Sequence, residues 1–256
     1  MIDTHSHIYS EEFDADGDEV IQRAKEAGVT KIVLPNVDAQ SLPRMLELEA
    51  QYPDYCYAAV GLHPESVKEN YQIELDIIRE ELERRKYLAV GEIGIDLYWD
   101  KTYQTEQIRA FQTQVEWAIE FNLPVIIHVR NSHNETIQAL KPYSGKGLKG
   151  IFHCFGGTPE EAAEIFSLGD FKLGIGGVVT FKNSGLAASL IHIPLEKLVL
   201  ETDSPYLTPA PFRGKRNESS YLRYVAARLT EIYNVSQDEV DRITTESACS
   251  VFSGLK

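Results

Sequence analysis

Short apolar runs alternate with longer amphipathic stretches along the whole chain. The runs cover residues 2–5, 31–34, 56–60, 88–92, 125–128, 150–153, 171–175 and 198–201. They are rich in Val, Ile and aromatic residues, and most follow a Gly, Pro, Asn or Lys, which is how buried strands read. Their starts lie roughly 20 to 40 residues apart, the length of a βα unit in a barrel of ~250 residues. The intervals carry helical signals. Residues 18–27 end at Gly28, a stop just before a strand. Residues 104–121 place Ile108, Phe111, Val115, Ala118 and Ile119 on one face and stop at Asn122, before Pro124. Thr158-Pro159-Glu160-Glu161 reads as an N-cap, a Pro in the first turn and early acids. A Pro-rich loop after the eighth run leads into two closing helices, 219–233 and 237–252. Eight such units predict an α/β chain folded as a (β/α)8 barrel, one domain over residues 1–256 with extra C-terminal helices. A doubly wound open sheet is the alternative, but the first run lacks the glycine-rich fingerprint of a dinucleotide fold.

Composition narrows the function classes. Hydrophobic residues make up 43% of the 256, enough for a large core. No apolar run approaches the ~20 residues that cross a bilayer, so no membrane partner is expected. The N-terminus lacks a basic segment followed by an apolar one, so no secretory signal is expected. Three scattered cysteines, Cys56, Cys154 and Cys249, read as reduced thiols of a cytoplasmic protein. The net charge of −14 argues against a broad, non-specific grip on nucleic acid. It leaves room for an enzyme that takes one strand end into a metal-loaded cleft, because bound cations reverse the local sign. The oligomeric state is left open, with a monomer the simplest expectation.

Catalytic groups of such barrels gather at the C-terminal strand ends. There this chain carries His5 and His7, His63, Glu92, His128 with Arg130, His153, and Asp203. Five of the seven histidines fall at these ends. Imidazoles and carboxylates converging on one cavity are costly without a compensating ion. His5, His7, Glu92, His128, His153 and Asp203 exceed the ligand count of a single catalytic zinc, which suggests two divalent ions. Glu92 is placed to bridge them. His5, His7 and Asp203 would hold one ion, and His128 and His153 the other. This nitrogen and oxygen set suits Mg, Mn or Zn alike. The expected chemistry is attack of a metal-activated water, with Glu92 and Asp203 as the catalytic carboxylates and Asp203 as proton shuttle. Cys154 adjoins His153, but neighbours on a strand face opposite ways, so no thiol–imidazole pair is expected.

The loop after the eighth run holds Arg213, Lys215 and Arg216 within four residues. In an acidic chain this reads as a phosphate clamp, joined by Arg130 and His63 from neighbouring strand ends. Tyr206 and Phe212 could stack a base. Lys182 beside Phe181 is a weaker candidate of the same kind.

These segments together resemble the TatD family of metal-dependent deoxyribonucleases. The resemblance rests on Asp3-Thr4-His5-Ser6-His7, Gly61-Leu62-His63-Pro64, Gly91-Glu92-Ile93-Gly94-Ile95-Asp96, residues 124–130, His153-Cys154-Phe155-Gly156-Gly157, residues 201–207 and Arg213-Gly214-Lys215-Arg216-Asn217-Glu218. It implies a TIM-like barrel, divalent-metal-dependent phosphodiester hydrolysis and exonuclease action on DNA, with single-stranded ends as substrate. It implies the same six metal ligands. Ser219 and Ser247 depart from the family pattern, which has Pro and Asn there. The alternative is a metal-dependent deacylase or amidohydrolase acting on a small molecule or aminoacyl ester. Many barrels of that group carry a bridging lysine on strand four. Glu92 in that place, with the cationic loop, favours the phosphodiester.

Overall fold

The structure, a computed structural model, describes residues 1–255. Its strands are β1 (Ile2–Asp3), β2 (Lys31–Pro35), β3 (Cys56–Ala59), β4 (Val90–Asp96), β5 (Val125–Arg130), β6 (Lys149–Phe152), β7 (Asp170–Ile175) and β8 (Leu198–Leu200). All pair in parallel, β1 to β3 in one ladder and β4 to β8 in another. Two seams close the ladders into a barrel. Val60 bridges Val90 beyond β3, and Ser6 bridges Ser204 beyond β1 and β8. At the second seam Thr4 N–H donates to the Leu200 carbonyl at 3.0 Å, and His7 N–H to the Ser204 carbonyl at 2.8 Å. The expected (β/α)8 barrel is therefore the observed fold.

Seven helices fill the crossings: α1 (Gly17–Glu26), α2 (Leu42–Gln51), α3 (Tyr71–Arg84), α4 (Gln104–Glu120), α5 (His133–Leu140), α6 (Pro159–Leu168) and α7 (Leu186–Leu190). Local chemistry sets their ends. Thr158 Oγ1 accepts the Glu161 N–H and Glu161 Oε2 accepts the Thr158 N–H, a capping box with Pro159 in the first turn of α6. Two further helices, α8 (Leu222–Tyr233) and α9 (Gln237–Val251), follow the barrel. Ser247 on α9 donates to the Glu196 carbonyl at 2.9 Å.

The strand alternation sorts the core into two layers. Ile32, Leu34, Val125, Ile127, Leu198 and Leu200 pack outward, against the helices. Val33, Ile126 and Val199 point the other way and join Ile2, Ala59, Ala89 and Ile151 inside the barrel. That inner layer meets Ala248, Val251, Phe252 and Leu255, so the end of α9 and the turn after it plug the N-terminal mouth. The opposite mouth is left for polar side chains.

One strand departs from expectation. The run predicted at 88–92 becomes β4 over Val90–Asp96, so Glu92 lies inside the strand instead of at its end. The register slips between Val90 and Ile93, and pairing with β5 continues to Asp96 opposite Arg130. Gly94 allows this. It sits at φ +152°, and a Cβ there would lie 2.0 Å from the His128 carbonyl oxygen.

Phe252 is fully buried in the plug. Phe252→Ala should lower the unfolding free energy by about 3–5 kcal/mol. An unchanged urea midpoint would show that the barrel end is sealed some other way.

Candidate metal centre

Each polar strand end delivers its side chain to one pocket. His5 and His7 follow β1, and their Nε2 atoms lie 3.1 Å apart. His128 comes from β5, His153 follows β6, and Asp203 follows β8. Asp203 sits at φ +55°, a backbone that Asp tolerates better than most residues. His5, Glu92 and His153 are almost completely buried, and Asp203 keeps 14% of its side chain exposed.

Glu92 is the centre of the arrangement, and its two oxygens face different groups. Oε2 lies 3.1 Å from His5 Nε2 and 3.4 Å from His7 Nε2. Oε1 lies 2.8 Å from His128 Nδ1 and 2.9 Å from His153 Nε2. Asp203 Oδ1 completes the first group, 3.7 Å from both His5 Nε2 and His7 Nε2. Donors around one ion with bonds of about 2.0–2.2 Å lie about 3–3.5 Å from each other. The separations run from 2.8 to 3.7 Å, on either side of that range, and both groups share Glu92.

The outer contacts decide which imidazole nitrogen is free. Tyr9 Oη donates to the Pro35 carbonyl at 2.5 Å, so it accepts from His7 Nδ1 at 3.0 Å. The His7 lone pair is thereby left on Nε2, facing Glu92. Asp96 Oδ2 accepts the His128 Nε2–H hydrogen bond at 2.8 Å, so in the neutral ring the lone pair lies on Nδ1. Glu201 Oε1 lies 3.5 Å from His153 Nδ1, with the other ring nitrogen again toward Glu92. Gly174 makes room for that carboxylate: a Cβ there would lie 1.9 Å from Glu201 Oε2. Outer carboxylates and hydroxyls that aim imidazole lone pairs inward are the usual surround of metal-binding histidines.

His63 behaves differently. Its Nε2 lies 3.4 Å from Glu92 Oε1 and 3.3 Å from His128 Nδ1, so it belongs to the same pocket. Its Nδ1 accepts the Glu65 backbone N–H at 3.1 Å. The neutral ring must then carry its proton on Nε2, which makes it a donor in the pocket and a poor ligand.

The charges agree with a cation-seeking site. Burial would push Glu92 up, but the surrounding imidazoles, His153 and His5 foremost, hold it well below the usual carboxylate range. Burial holds His5 well below its ordinary value, with His153 adding to the effect, so it is neutral. Burial opposes a proton on His153, yet Glu92 and Glu201 outweigh it and lift the ring well above its ordinary value. His128 is raised in the same way, with Asp96 and Glu92 overcoming burial. Burial raises Asp203 to about 6. Protons on His153 and His128 thus balance Glu92, and a divalent cation held by the same nitrogens would displace them; the donor set fits divalent cations. His153's neighbour Cys154 is not an activated thiol, since burial pushes it up to about 12.

The loop after β8 divides its residues between two jobs. Arg216 was expected to clamp phosphate. Instead its guanidinium spans both Asp16 oxygens at 2.8 and 2.7 Å and lies over the Phe13 ring. Glu218 pairs with Arg23 at 2.6 Å. Asn217 Nδ2 donates to the carbonyls of Thr202 and Tyr206. Residues 216–218 thus brace the loop against α1. Phe212, offered above as a base-stacking ring, is stacked on Tyr221 at 4.7 Å. Arg213 and Lys215 remain exposed, Arg213 over the Phe181 ring at 3.6 Å. Tyr206 is 55% exposed, 6.4 Å from the His7 ring. Arg130 is also at the mouth, beside Tyr98 and Trp99.

Sequence reasoning missed Tyr9, Asp96 and Glu201. Asp96 and Glu201 lie in the strand-end segments, but nothing in a carboxylate's position along the chain separates a ligand from a residue that orients one. Tyr9 had no signal.

The family model for TatD-related DNases matches residues 2–253. An uncharacterized metal-dependent hydrolase, YabD, of Bacillus subtilis is 40% identical over 253 residues, 98% of each chain. A protein of Pectobacterium parmentieri named 3'-5' ssDNA/RNA exonuclease TatD is 33% identical over 98% of this chain and 99% of its own. The crystal structure of the TatD homologue YjjV from Escherichia coli superposes with a TM-score of 0.92 at 33% identity, covering 99% of this chain and 98% of that one.

Burial would raise Glu218, but Arg23 and Ser220 hold it below the usual carboxylate range. A folded pKa below the unfolded one gives stability that is present above the ordinary carboxylate range and lost as pH falls through the depressed value. Glu218→Gln should therefore cost about 1–2 kcal/mol at pH 7, limited because Arg23 is 41% exposed and screened by water. The loss should shrink in acid. A loss that is equal at pH 7 and pH 3 would contradict the pairing.

Proposed function

The chain belongs to the TatD-related DNase family, and on that premise we propose that it is a divalent-metal-dependent hydrolase that shortens single-stranded DNA from an end. The observation that carries this reading is Glu92, with imidazoles set against each of its two oxygens. His5, His7, Asp203 and Glu92 Oε2 would hold one ion, and His128, His153 and Glu92 Oε1 the other, with Mg, Mn or Zn as candidates. Divalent ions at such a pair of sites lower the pKa of water and neutralise charge on a phosphate.

The chain's own residues supply the rest. His63 presents its Nε2 proton to the pocket and can donate to a phosphate oxygen. Arg130, Arg213 and Lys215 would serve as phosphate partners, and the exposed Tyr206 ring lies 6.4 Å from that of His7. Arg216 acts through the loop it braces. Asp203 is more open to water than Glu92, which makes it the carboxylate placed to exchange a proton with the attacking water. The net charge of −14 keeps the positive charge local, which suits a strand end better than a long duplex face. Among the described residues no helix is long and apolar enough to cross a membrane.

The test is hydrolysis of end-labelled single-stranded DNA by chelator-stripped protein, with Mg²⁺, Mn²⁺ or Zn²⁺ returned. Stepwise, metal-dependent shortening is expected. Glu92→Ala should remain folded by circular dichroism and lose about 100-fold or more in rate. Full activity in that folded variant would overturn the shared-carboxylate reading. Tight metal binding with no cleavage of any nucleic acid would replace the phosphodiester with an amide or ester substrate.

A further inference from the structure

Four of the six most exposed large hydrophobic side chains lie at the polar mouth of the barrel: Tyr98 and Trp99 after β4, Tyr206 and Leu207 after β8. Trp99 is 73% exposed and Tyr98 49%. Exposed aromatic area of this kind, concentrated beside a polar pocket, marks a contact surface. The two rings meet edge to face at 4.6 Å. The Arg130 guanidinium lies 4.0 Å from the Tyr98 centroid and 5.5 Å from that of Trp99.

Resting on the nuclease reading above, we propose that Tyr98, Trp99 and Arg130 form a stacking platform for an unpaired base of the substrate. Its position relative to the metal centre is built in. Asp96 Oδ2 holds the His128 ring at 2.8 Å, and Asp96 Oδ1 accepts the Tyr98 N–H at 2.9 Å. One buried carboxylate thus fixes both a pocket imidazole and the start of the platform. The Leu97 N–H donates to the Arg130 carbonyl at 2.9 Å, tying the platform's two strands together. A cavity of about 580 Å³ opens on the other side of Arg130, between the ends of β5 and β6, lined by Arg130, His153, Cys154 and Phe155 among others. Arg130 lies two residues beyond His128 on β5, on the same side of the strand, so a strand with its terminal phosphodiester at Glu92 would pass Arg130 before laying a base on Trp99.

The chemistry selects a base over other occupants. An aromatic face with a guanidinium beside it accepts any flat π-system, and Arg130 keeps donor edges for the adjoining phosphate. Bases inside a duplex have both faces covered by their neighbours, so the platform favours a frayed or single strand. A π-face is common to all bases, so little sequence preference follows.

Trp99 and Trp117 are the two tryptophans, and Trp117 is packed against the core. Trp99 fluorescence therefore reports the platform directly. Two oligothymidylates are titrated into metal-loaded protein. Both carry phosphorothioate linkages that resist cleavage, and one has a single abasic position scanned along it. The intact strand should quench Trp99, and one abasic position should weaken binding by about 5- to 100-fold. Trp99→Ala should bind the intact strand as weakly as wild type binds that abasic one, and Trp99→Phe should recover most of the difference. In hydrolysis, Trp99→Ala should raise KM with kcat little changed. Equal binding and equal KM in Trp99→Ala and wild type would overturn the platform while leaving the nuclease reading intact. Quenching and abasic discrimination without hydrolysis of unmodified DNA would support the platform and overturn the nuclease reading. A concentration-dependent dimer abolished by Trp99→Ala, with oligonucleotide binding unchanged, would assign the rings to a second copy of the chain instead.

Discussion

A carboxylate buried among five imidazoles is the constraint around which this molecule is arranged. Glu92 is almost inaccessible to water, and each of its oxygens is met by histidine nitrogens at about the spacing of donors around an ion. A charged group so placed is tolerated only where compensating charge is close and correctly oriented. The strand ends of a closed barrel supply that arrangement, because they aim side chains from distant parts of the sequence at one axis. The slip in β4 and the glycine at 94 carry Glu92 into the pocket and then extend the strand to Asp96.

The surroundings of the pocket matter as much as its lining. Tyr9 and Asp96 each accept a hydrogen bond from one imidazole nitrogen and so turn the other nitrogen of that ring toward Glu92. His63 has the reverse arrangement, through the Glu65 amide, and so becomes a donor among acceptors. The loop after β8 shows the same economy. Arg216, Asn217 and Glu218 hold the loop in place, which leaves Arg213 and Lys215 free at its rim. At the other end of the barrel the inner aliphatic layer and Phe252 exclude water altogether.

Much of this was legible in the sequence. The eight apolar runs and their spacing gave the barrel, because strand alternation and helix periodicity are local properties. The concentration of histidines at the ends of those runs gave the pocket. The extent of β4 was not legible, since it depends on how Gly94 meets His128 across a strand boundary. The split of the cationic loop was also hidden. Nothing in Arg213, Lys215 and Arg216 as residue types says which one finds Asp16, some two hundred positions away in the chain. Tautomer control by Tyr9 and Asp96 is likewise a three-dimensional fact. The aromatic pair at 98 and 99 carries no periodic signal, and only its exposure beside Arg130 sets it apart.

The most direct measurement is the anomalous scattering of crystals grown with Mn²⁺ or Zn²⁺. The account predicts two peaks about 3.5–4 Å apart, one on each side of the Glu92 carboxylate. One would lie with His5, His7 and Asp203, and the other with His128 and His153. A single peak with full occupancy, or two peaks that do not share Glu92, would contradict it.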